Sequence, residues 1–231
     1  MAKNYGIDLE SLPEHIFPLT PYGVMEQATK TALNYVKKNP GVMSHDAATA
    51  CDIIKQLWRQ KRPYIVALWA GLEEACINAV REPGKVWGYR SIKYLSDGRF
   101  LRCKLPSGRC LHYYKPDVKE KETPWGQKKA VVTFWGLDSM TNKFMPHHLY
   151  GGLLCENCTQ AASRDILTDA LIRLEDHGYP PVIHVHDEAV SEVPIGFGSV
   201  EEYEAIMSEP PAWAVGCPIA AEGYRANRYK K

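Results

Sequence analysis

The stretch Pro181-Val-Ile-His-Val-His-Asp-Glu-Ala-Val-Ser-Glu-Val-Pro194 places a polar centre between two short apolar runs. The runs, Val182–Val185 and Ala189–Val193, are rich in the β-branched residues that favour strands. The pattern therefore predicts an antiparallel hairpin with three residues at its tip: His186, Asp187 and Glu188. Two adjacent carboxylates held on strands can bind a hard divalent cation such as Mg²⁺. Because Asp and Glu are also common in ordinary turns, a plain surface turn is the alternative for this pattern taken alone.

A long helix is predicted immediately before this hairpin, over Leu153–His177, with Gly178 ending it. Its apolar side chains recur at helical spacing and are expected to form the buried face: Ala161, Ala162, Ile166, Leu167, Ala170, Leu171 and Leu174. Gln160 and Arg164 are four residues apart and share another face of the helix. That face is either a binding surface or a simple solvated one.

Two blocks of this region together resemble family A DNA polymerases, the bacterial polymerase I class. Val185-His-Asp-Glu188, followed by Val190-Ser-Glu-Val193, is similar to motif C, which lies on a palm-domain hairpin in that family. The segment Tyr150–Asp165 contains Tyr-Gly-Gly, Glu-Asn, Gln-Ala and Arg-Asp in that order, as in the helix before motif C of phage-type members. The His-Asp-Glu core alone is a weak signal, but the two blocks in this order are fairly specific.

The resemblance implies a two-metal magnesium site in which Asp187 is a metal ligand and Glu188 assists it. It also implies that the substrates are primer–template DNA and dNTP. Seven residues of this sequence are implied to contact DNA, five through these two blocks and two through the hairpin discussed next: His186, Glu156, Asn157, Gln160, Arg164, Arg102 and Arg109.

A second hairpin is predicted over Phe100–Tyr114, where polar and apolar residues alternate around Pro106-Ser-Gly108. Arg102 and Arg109 belong to a cluster of cations here, with Arg99 and Lys104, and we expect them to contact the DNA backbone. A solvated hairpin face is the alternative. Phage-type members have a similar Leu-Pro-Ser-Gly-Arg hairpin, which favours the DNA contact. His147-His148 stand where those members tend to carry arginines, and neutral histidine is a poor substitute for a phosphate contact.

The N-terminal half is predicted to be helical, with helices over Met25–Lys38, from Ser44 or Asp46 onward, and from Pro63 onward. Trp58 and Trp69 fall on apolar stripes and are expected in the core. The fold class is therefore α+β, with residues 1–90 as a helical fingers-like remnant and residues 91–231 as a palm-like C-terminal portion that carries motif C. In that portion, Ile219–Tyr224 is predicted as a strand beside the Val182–Val193 hairpin.

Composition excludes some classes of protein. The 231 residues are 45% apolar and 24% charged, which is typical of a globular chain. The formal net charge of +1 means that DNA contacts must come from local patches. Seven cysteines without a signal-peptide pattern indicate a reducing cytoplasm, that of the host cell if the gene is phage-encoded. The longest uncharged apolar run, Tyr64–Leu72, is too short to span a membrane.

Several family motifs are missing. No motif A strand with a second essential Asp is found, nor the exonuclease carboxylates, and Lys3 with Tyr5-Gly6 lacks the spacing of the fingers helix. The opening residues Met1–Leu9 look like the inside of a domain. We therefore expect the C-terminal part of a family A polymerase, acting with an N-terminal polymerase chain that supplies motif A and the fingers helix. A split-gene product, a truncation and an inactive remnant all stay open.

Three alternatives accompany this interpretation. One is a non-catalytic DNA-binding remnant that keeps the fold. Another is a metallohydrolase that uses His184, His186 and Asp187, since His-x-His on one strand face can bind zinc. The last is a structural zinc site made of thiolates, with these candidates: Cys103, Cys110, Cys155 and Cys158.

Overall fold

The computed structural model describes residues 8–122 and 128–229. Lys3 and Tyr5-Gly6, discussed above for the fingers helix, lie outside these residues. The chain forms two compact units, one of residues 1–70 with 120–129 and one of residues 71–119 with 130–231. The division into a fingers-like part, residues 1–90, and a palm-like part, residues 91–231, stays a prediction.

The first unit is helical. Its helices are α1 (Leu12–Ile16), α2 (Tyr22–Lys38), α3 (His45–Lys61) and the beginning of α4 (Pro63–Arg81), preceded or joined by 3-10 turns at Leu9–Ser11 and Phe17–Leu19. Ser44 caps α3 as predicted, because its Oγ accepts a hydrogen bond from the Ala47 amide at 3.1 Å. Alanines form most of the core between α2 and α3: Ala28, Ala32, Ala47 and Ala50 are buried with Ile53.

The prediction of a core position is wrong for Trp58. Its ring is 42% exposed and stacks on Trp69, with 5.9 Å between the ring centroids. Helix α3 buries the stretch from Ala47 to Ile53, in its first half, and Trp58 lies beyond that stretch. The stacking contact covers part of the indole where the packed helix face has ended.

Most of a six-stranded antiparallel sheet, in which the strands follow one another in sequence order, belongs to the second unit. The strands are β1 (Val86–Tyr89), β2 (Ile92–Ser96), β3 (Phe100–Lys104), β4 (Cys110–Glu122), β5 (Lys128–Leu137) and β6 (Phe144–Leu149). The hairpin predicted around Pro106-Ser-Gly108 is confirmed as β3–β4, with Phe100 paired to Tyr114. Gly108 makes the turn with a φ of 91°, a conformation that glycine adopts without strain.

The long helix and the C-terminal hairpin are confirmed as well. Helix α5 spans Gly151–Asp176, and the hairpin consists of β7 (Pro181–Val185) and β8 (Glu188–Ser191). Of the predicted buried face of α5, Leu167, Ala170 and Leu174 are buried, and the other members are partly exposed. Helix α6 (Val200–Ser208) is capped by Ser199, whose Oγ accepts from the Glu202 amide at 3.0 Å. The α+β class of fold is thus confirmed.

The predicted strand over Ile219–Tyr224 is wrong. No strand is found there, and in the described part of the chain the β7–β8 sheet has two strands. The backbone amides of this segment bond to side chains of α6 instead. The Ala221 amide donates to Ser208 Oγ at 3.0 Å, and the Gly223 amide donates to Glu204 Oε1 at 2.7 Å. Donors committed to a helix in this way are not available to form a ladder with a strand.

Among the described residues, no helix is both long enough and apolar enough to cross a bilayer.

Candidate functional site

The hairpin tip carries the predicted metal ligands. Val185 pairs with Glu188, so His186 and Asp187 form the turn and Glu188 is the first residue of β8. His186 has a φ of 52°, in the left-handed region that tight turns use. Its neighbour Asp187 is exposed, and no described residue hydrogen-bonds to it or pairs with it. The Glu188 carboxylate accepts a hydrogen bond from the Tyr229 hydroxyl at 3.0 Å.

The base of the hairpin is better held than its tip. Ala189 and Val193 pack against a buried cluster of Leu174, Tyr179 and Ile206, which joins α5 to α6. Ser191 Oγ also donates to the Tyr179 carbonyl at 2.9 Å. Strand β7 is less covered, since the Val182 and Ile183 side chains are 55% and 47% exposed. The hairpin is therefore fixed at one end and along one strand.

The β3–β4 turn is fastened to the middle of α5 by Asp165, a nearly buried carboxylate. Its Oδ1 accepts from Arg109 Nε at 2.6 Å, and its Oδ2 accepts from the Ser107 hydroxyl. Arg109 Nη2 also donates to the Ala161 carbonyl at 3.0 Å. We call this set, Ser107, Arg109 and Asp165, the clamp. It fixes the distance between the sheet and the polar face of α5.

The four cations predicted as one patch are engaged differently. The guanidinium of Arg109 is directed toward α5 by the clamp, while Arg102 pairs with Asp97 at 2.7 Å and keeps 39% of its side chain exposed. Arg99 lies beside the ring of Phe100, with its Cζ 5.7 Å from the ring centroid. DNA contact by Arg102 and Arg109 stays a prediction.

An open cleft of about 450 Å³ lies between α5 and the sheet. Its lining contains three of the helix residues predicted from sequence and one from the turn, with sheet residues opposite them: Asn157, Gln160, Arg164, Arg109, Leu111, His112, Tyr113 and Phe134, with Ala161. The sequence thus identified the helix side of the cleft. It missed Tyr113 and Phe134, although each is an aromatic residue within a strand, where successive side chains point to opposite faces.

Hydrogen bonds order the polar side chains of the cleft. Asn157 Nδ2 donates to the Tyr113 hydroxyl at 3.0 Å, and burial raises the pKa of that phenol, so it stays protonated. Gln160 Nε2 donates to Glu156 Oε1 at 3.2 Å, which places Glu156 at the edge of the site. Arg164 Nη1 lies 3.4 Å from His184 Nδ1 on β7. This last contact connects the cleft to the hairpin that carries His186, Asp187 and Glu188.

The cysteines do not assemble as either predicted zinc pair. Cys103 on β3 contacts Cys158 on α5, with 3.6 Å between the sulfurs. The hydrogen bond to Cys158, together with burial, raises the pKa of the Cys103 thiol. Within residues 8–122 and 128–229, no three His, Cys, Asp or Glu side chains are grouped so that they could hold a metal ion. His184, His186 and Asp187 therefore do not form such a group, and the carboxylates of Asp187 and Glu188 have no third ligand among the described residues.

Comparison with known proteins gives one informative similarity. The chain is 42% identical over 175 residues, 75% of its length, to a protein described as DNA polymerase from Bacillus phage SP02. The aligned part is 26% of that protein, so the chain spans about a quarter of the length of the relative it matches. No family model matches the sequence. No solved structure matches it either.

Proposed function

We propose that this chain is the motif C portion of a family A DNA polymerase and serves template-directed nucleotidyl transfer in DNA replication. One observation carries the proposal: a single cleft collects Asn157, Gln160, Arg164 and Arg109, and Arg164 links it to the hairpin of Asp187. The similarity to a phage protein described as DNA polymerase supports it. The site of action would be the cytoplasm of a host cell.

The cleft suits a duplex that must be bound at any sequence. Its polar groups toward the solvent are amide and guanidinium donors, and every base pair offers acceptors in the minor groove. Phosphate and sugar contacts of the same donors position a duplex without selecting a base. The bond from Asn157 to Tyr113 holds its amide in one orientation before any DNA arrives, which lowers the entropic cost of binding. Primer–template DNA is the ligand we assign to this cleft.

The donor atoms at the hairpin tip fit Mg²⁺, which prefers carboxylate oxygens. Asp187 is exposed and has no described partner, so its oxygens are available, whereas Glu188 is engaged by Tyr229. Asp187 is therefore the proposed metal ligand, and Glu188 the assisting carboxylate. Bound Mg²⁺ would stabilise negative charge on the attacking 3′-oxygen of the primer and on the phosphates of the dNTP. The role of the chain is to hold the oxygens of Asp187 and Glu188 beside the duplex.

A second carboxylate must come from polypeptide outside these 231 residues, because they contain no motif A. The partly exposed Val182 and Ile183 of β7 are a surface on which a further strand could pack. We propose an N-terminal polymerase chain as the source of motif A and of the fingers helix. The second candidate is a DNA-binding remnant without catalysis, and the lack of a third metal ligand among the described residues favours it.

Primer extension tests the proposal. The 231-residue chain alone should incorporate no nucleotide on a primed template with Mg²⁺, and addition of a polymerase segment that carries motif A should give extension. Asp187→Asn should abolish that extension while the protein stays folded, because it removes a full charge and little volume. Glu188→Gln should reduce it less. Asp176→Asn, an exposed carboxylate at the far end of α5, is the matched control and should be fully active.

Other outcomes would revise the proposal. Extension by the isolated chain that Asp187→Asn abolishes would remove the need for a second segment. Unchanged extension in Asp187→Asn would take the metal site away from this hairpin. Duplex binding that persists in every combination without any extension would favour the DNA-binding remnant.

A further inference from the structure

A row of four aromatic rings crosses the second unit on four strands of its sheet. Phe100 on β3 lies 5.3 Å from Tyr114 on β4, Tyr114 lies 6.2 Å from Phe144 on β6, and Phe144 lies 5.9 Å from Trp135 on β5, between ring centroids. The planes of successive rings differ by 47°, 40° and 32°. We call these four residues the aromatic row.

The aromatic row lies on the sheet face opposite the cleft. Tyr113 and Phe134 line the cleft and contact each other at 5.1 Å, and each directly precedes a member of the row. Because successive side chains of a strand point to opposite faces, Tyr114 and Trp135 are directed away from the cleft. Phe100 is paired with Tyr114 and thus shares its face. No member of the row lines the cleft, and the contact between the two sets is that of cleft residue His112 with Phe100, at 6.2 Å between ring centroids.

The row is accessible, and its neighbours are apolar as well. The Trp135 and Phe144 side chains are 41% and 56% exposed. Leu137, Met140 and Met145 on the same β5–β6 hairpin are also exposed. Trp135 and Phe144 therefore present aromatic faces to solvent, and Phe100 and Tyr114 beside them are partly exposed. Such faces bind planar rings by stacking, and they do so with any base.

Cations accompany the rings. Arg99 Cζ lies 5.7 Å from the centroid of Phe100, and Lys115 Nζ lies 5.5 Å from that of Tyr114. The nearby carboxylates are engaged locally: Asp97 accepts from the amides of its turn and pairs with Arg102. Asp138 likewise accepts from the hydroxyl and amide of Thr141, at 2.7 and 2.8 Å. Arg99 and Lys115 thus place two positive charges against rings of the row, which suits a phosphate backbone.

We propose that the aromatic row is a stacking platform for single-stranded DNA. Unpaired bases would stack on Trp135, Phe144 and Tyr114, while Arg99 and Lys115 attract the sugar–phosphate backbone. The inference extends the proposed function, because a template has an unpaired portion that a duplex cleft cannot hold. One face of the sheet would then bind duplex DNA in the cleft, and the opposite face would bind single-stranded DNA on the aromatic row.

The test is equilibrium binding of a fluorescein-labelled oligothymidylate of about 16 nucleotides, within the size range of stacking sites, to the whole 231-residue chain. The double variant Trp135→Leu with Phe144→Leu keeps the apolar character of the surface but removes two π faces. Its affinity should fall at least about tenfold, as expected when stacking partners are lost. Tyr64→Leu replaces an exposed aromatic side chain outside the row and should bind like the wild type.

Charge and ring contributions are separable. Lys115→Gln should weaken binding and reduce the slope of log affinity against log salt by about one. In the wild type, oligothymidylate should shift the indole N–H resonance of Trp135, a readout that does not depend on a variant being folded. Absence of that shift would overturn the proposal. Wild-type affinity in the leucine double variant would overturn it too, and would identify the row as an apolar docking face for protein.

Failure of this inference and failure of the proposed function are distinguishable. Gln160→Ala and Arg164→Ala change the cleft and should weaken binding of primer–template duplex while leaving oligothymidylate affinity unchanged. If the duplex does not bind but oligothymidylate binding depends on Trp135 and Phe144, the platform is supported and the cleft assignment fails. If the duplex binds and oligothymidylate affinity does not depend on Trp135 and Phe144, the cleft assignment is supported and the platform fails.

Discussion

The cleft and the hairpin tip are held in opposite ways, although α5 supports both. In the cleft, Asn157 is bonded to Tyr113, and Arg109 is held by the nearly buried Asp165, which also accepts a hydrogen bond from Ser107. At the tip, Asp187 is exposed without a described partner. A surface that positions a long ligand benefits from side chains already fixed by the protein. A metal ligand needs free lone pairs, so a carboxylate saturated by internal donors would be unsuited to that role.

The largest expected effect comes from breaking the clamp. Asp165→Ala leaves the Arg109 guanidinium and the Ser107 hydroxyl without their acceptor, and should lower the free energy of unfolding by about 2 kcal/mol. Urea denaturation measures this loss. Asp176→Ala, on the exposed end of the same helix, should change stability by less than about 0.5 kcal/mol. Equal stabilities of the two variants would show that the cleft is no better fastened than the surface.

A smaller loss is expected from Asn157→Ala. It removes the partner of the Tyr113 hydroxyl in a partly buried site and should cost about 1 kcal/mol. Gln160→Ala removes a comparable bond, to Glu156, from an exposed helix face and should cost less than about 0.5 kcal/mol. Thermal unfolding of the pair gives the difference. If Gln160→Ala is the more costly change, preorganisation of the cleft does not depend on Tyr113.

Two tyrosines that both donate to glutamates sharpen the comparison. Tyr229→Phe removes the bond to Glu188 at the exposed tip and should change the free energy of unfolding by less than about 0.5 kcal/mol. Tyr179→Phe removes a bond to Glu202 at 2.6 Å and the acceptor of the Ser199 amide, and should cost about 1 kcal/mol. Chemical denaturation of both variants checks the order. A larger loss in Tyr229→Phe would mean that the tip is a structural part of the fold.

The smallest effect is expected from acid. The Phe100 amide is the main cause that holds the pKa of Asp97 below its usual range. A lowered folded pKa means that the stabilisation is complete above the unfolded pKa of about 4 and disappears as the pH falls through the lower folded value. Amide resonances of Arg99 and Phe100 should therefore move below pH 4 while those of the buried part of α5 around Leu174 stay in place. Simultaneous movement of both regions would indicate global unfolding instead.

Local pattern was sufficient for the elements and insufficient for their long-range contacts. Helix α5, both hairpins and the Ser44 cap follow from periodicity and from the residue types at turns and helix ends, which are properties of neighbouring residues. The pairing of Arg109 with Asp165 joins residues 56 positions apart, and no periodicity specifies it. The segment Ile219–Tyr224 is predicted as a strand from the sequence, but the side chains of α6 compete for its amides. In both cases, the structure depends on contacts between residues that are distant in the sequence.

The clamp also bears on how genes of this kind can be recombined. Ser107 and Arg109 lie in a turn of the sheet, and the carboxylate that receives them lies near the middle of a helix encoded much later. A crossover anywhere between codons 109 and 165 would join a turn from one parent to a helix from another. In a hybrid protein, the clamp would form only where the two parents supply matching members of it. Grafts of the β3–β4 hairpin should therefore move Ser107, Arg109 and Asp165 together.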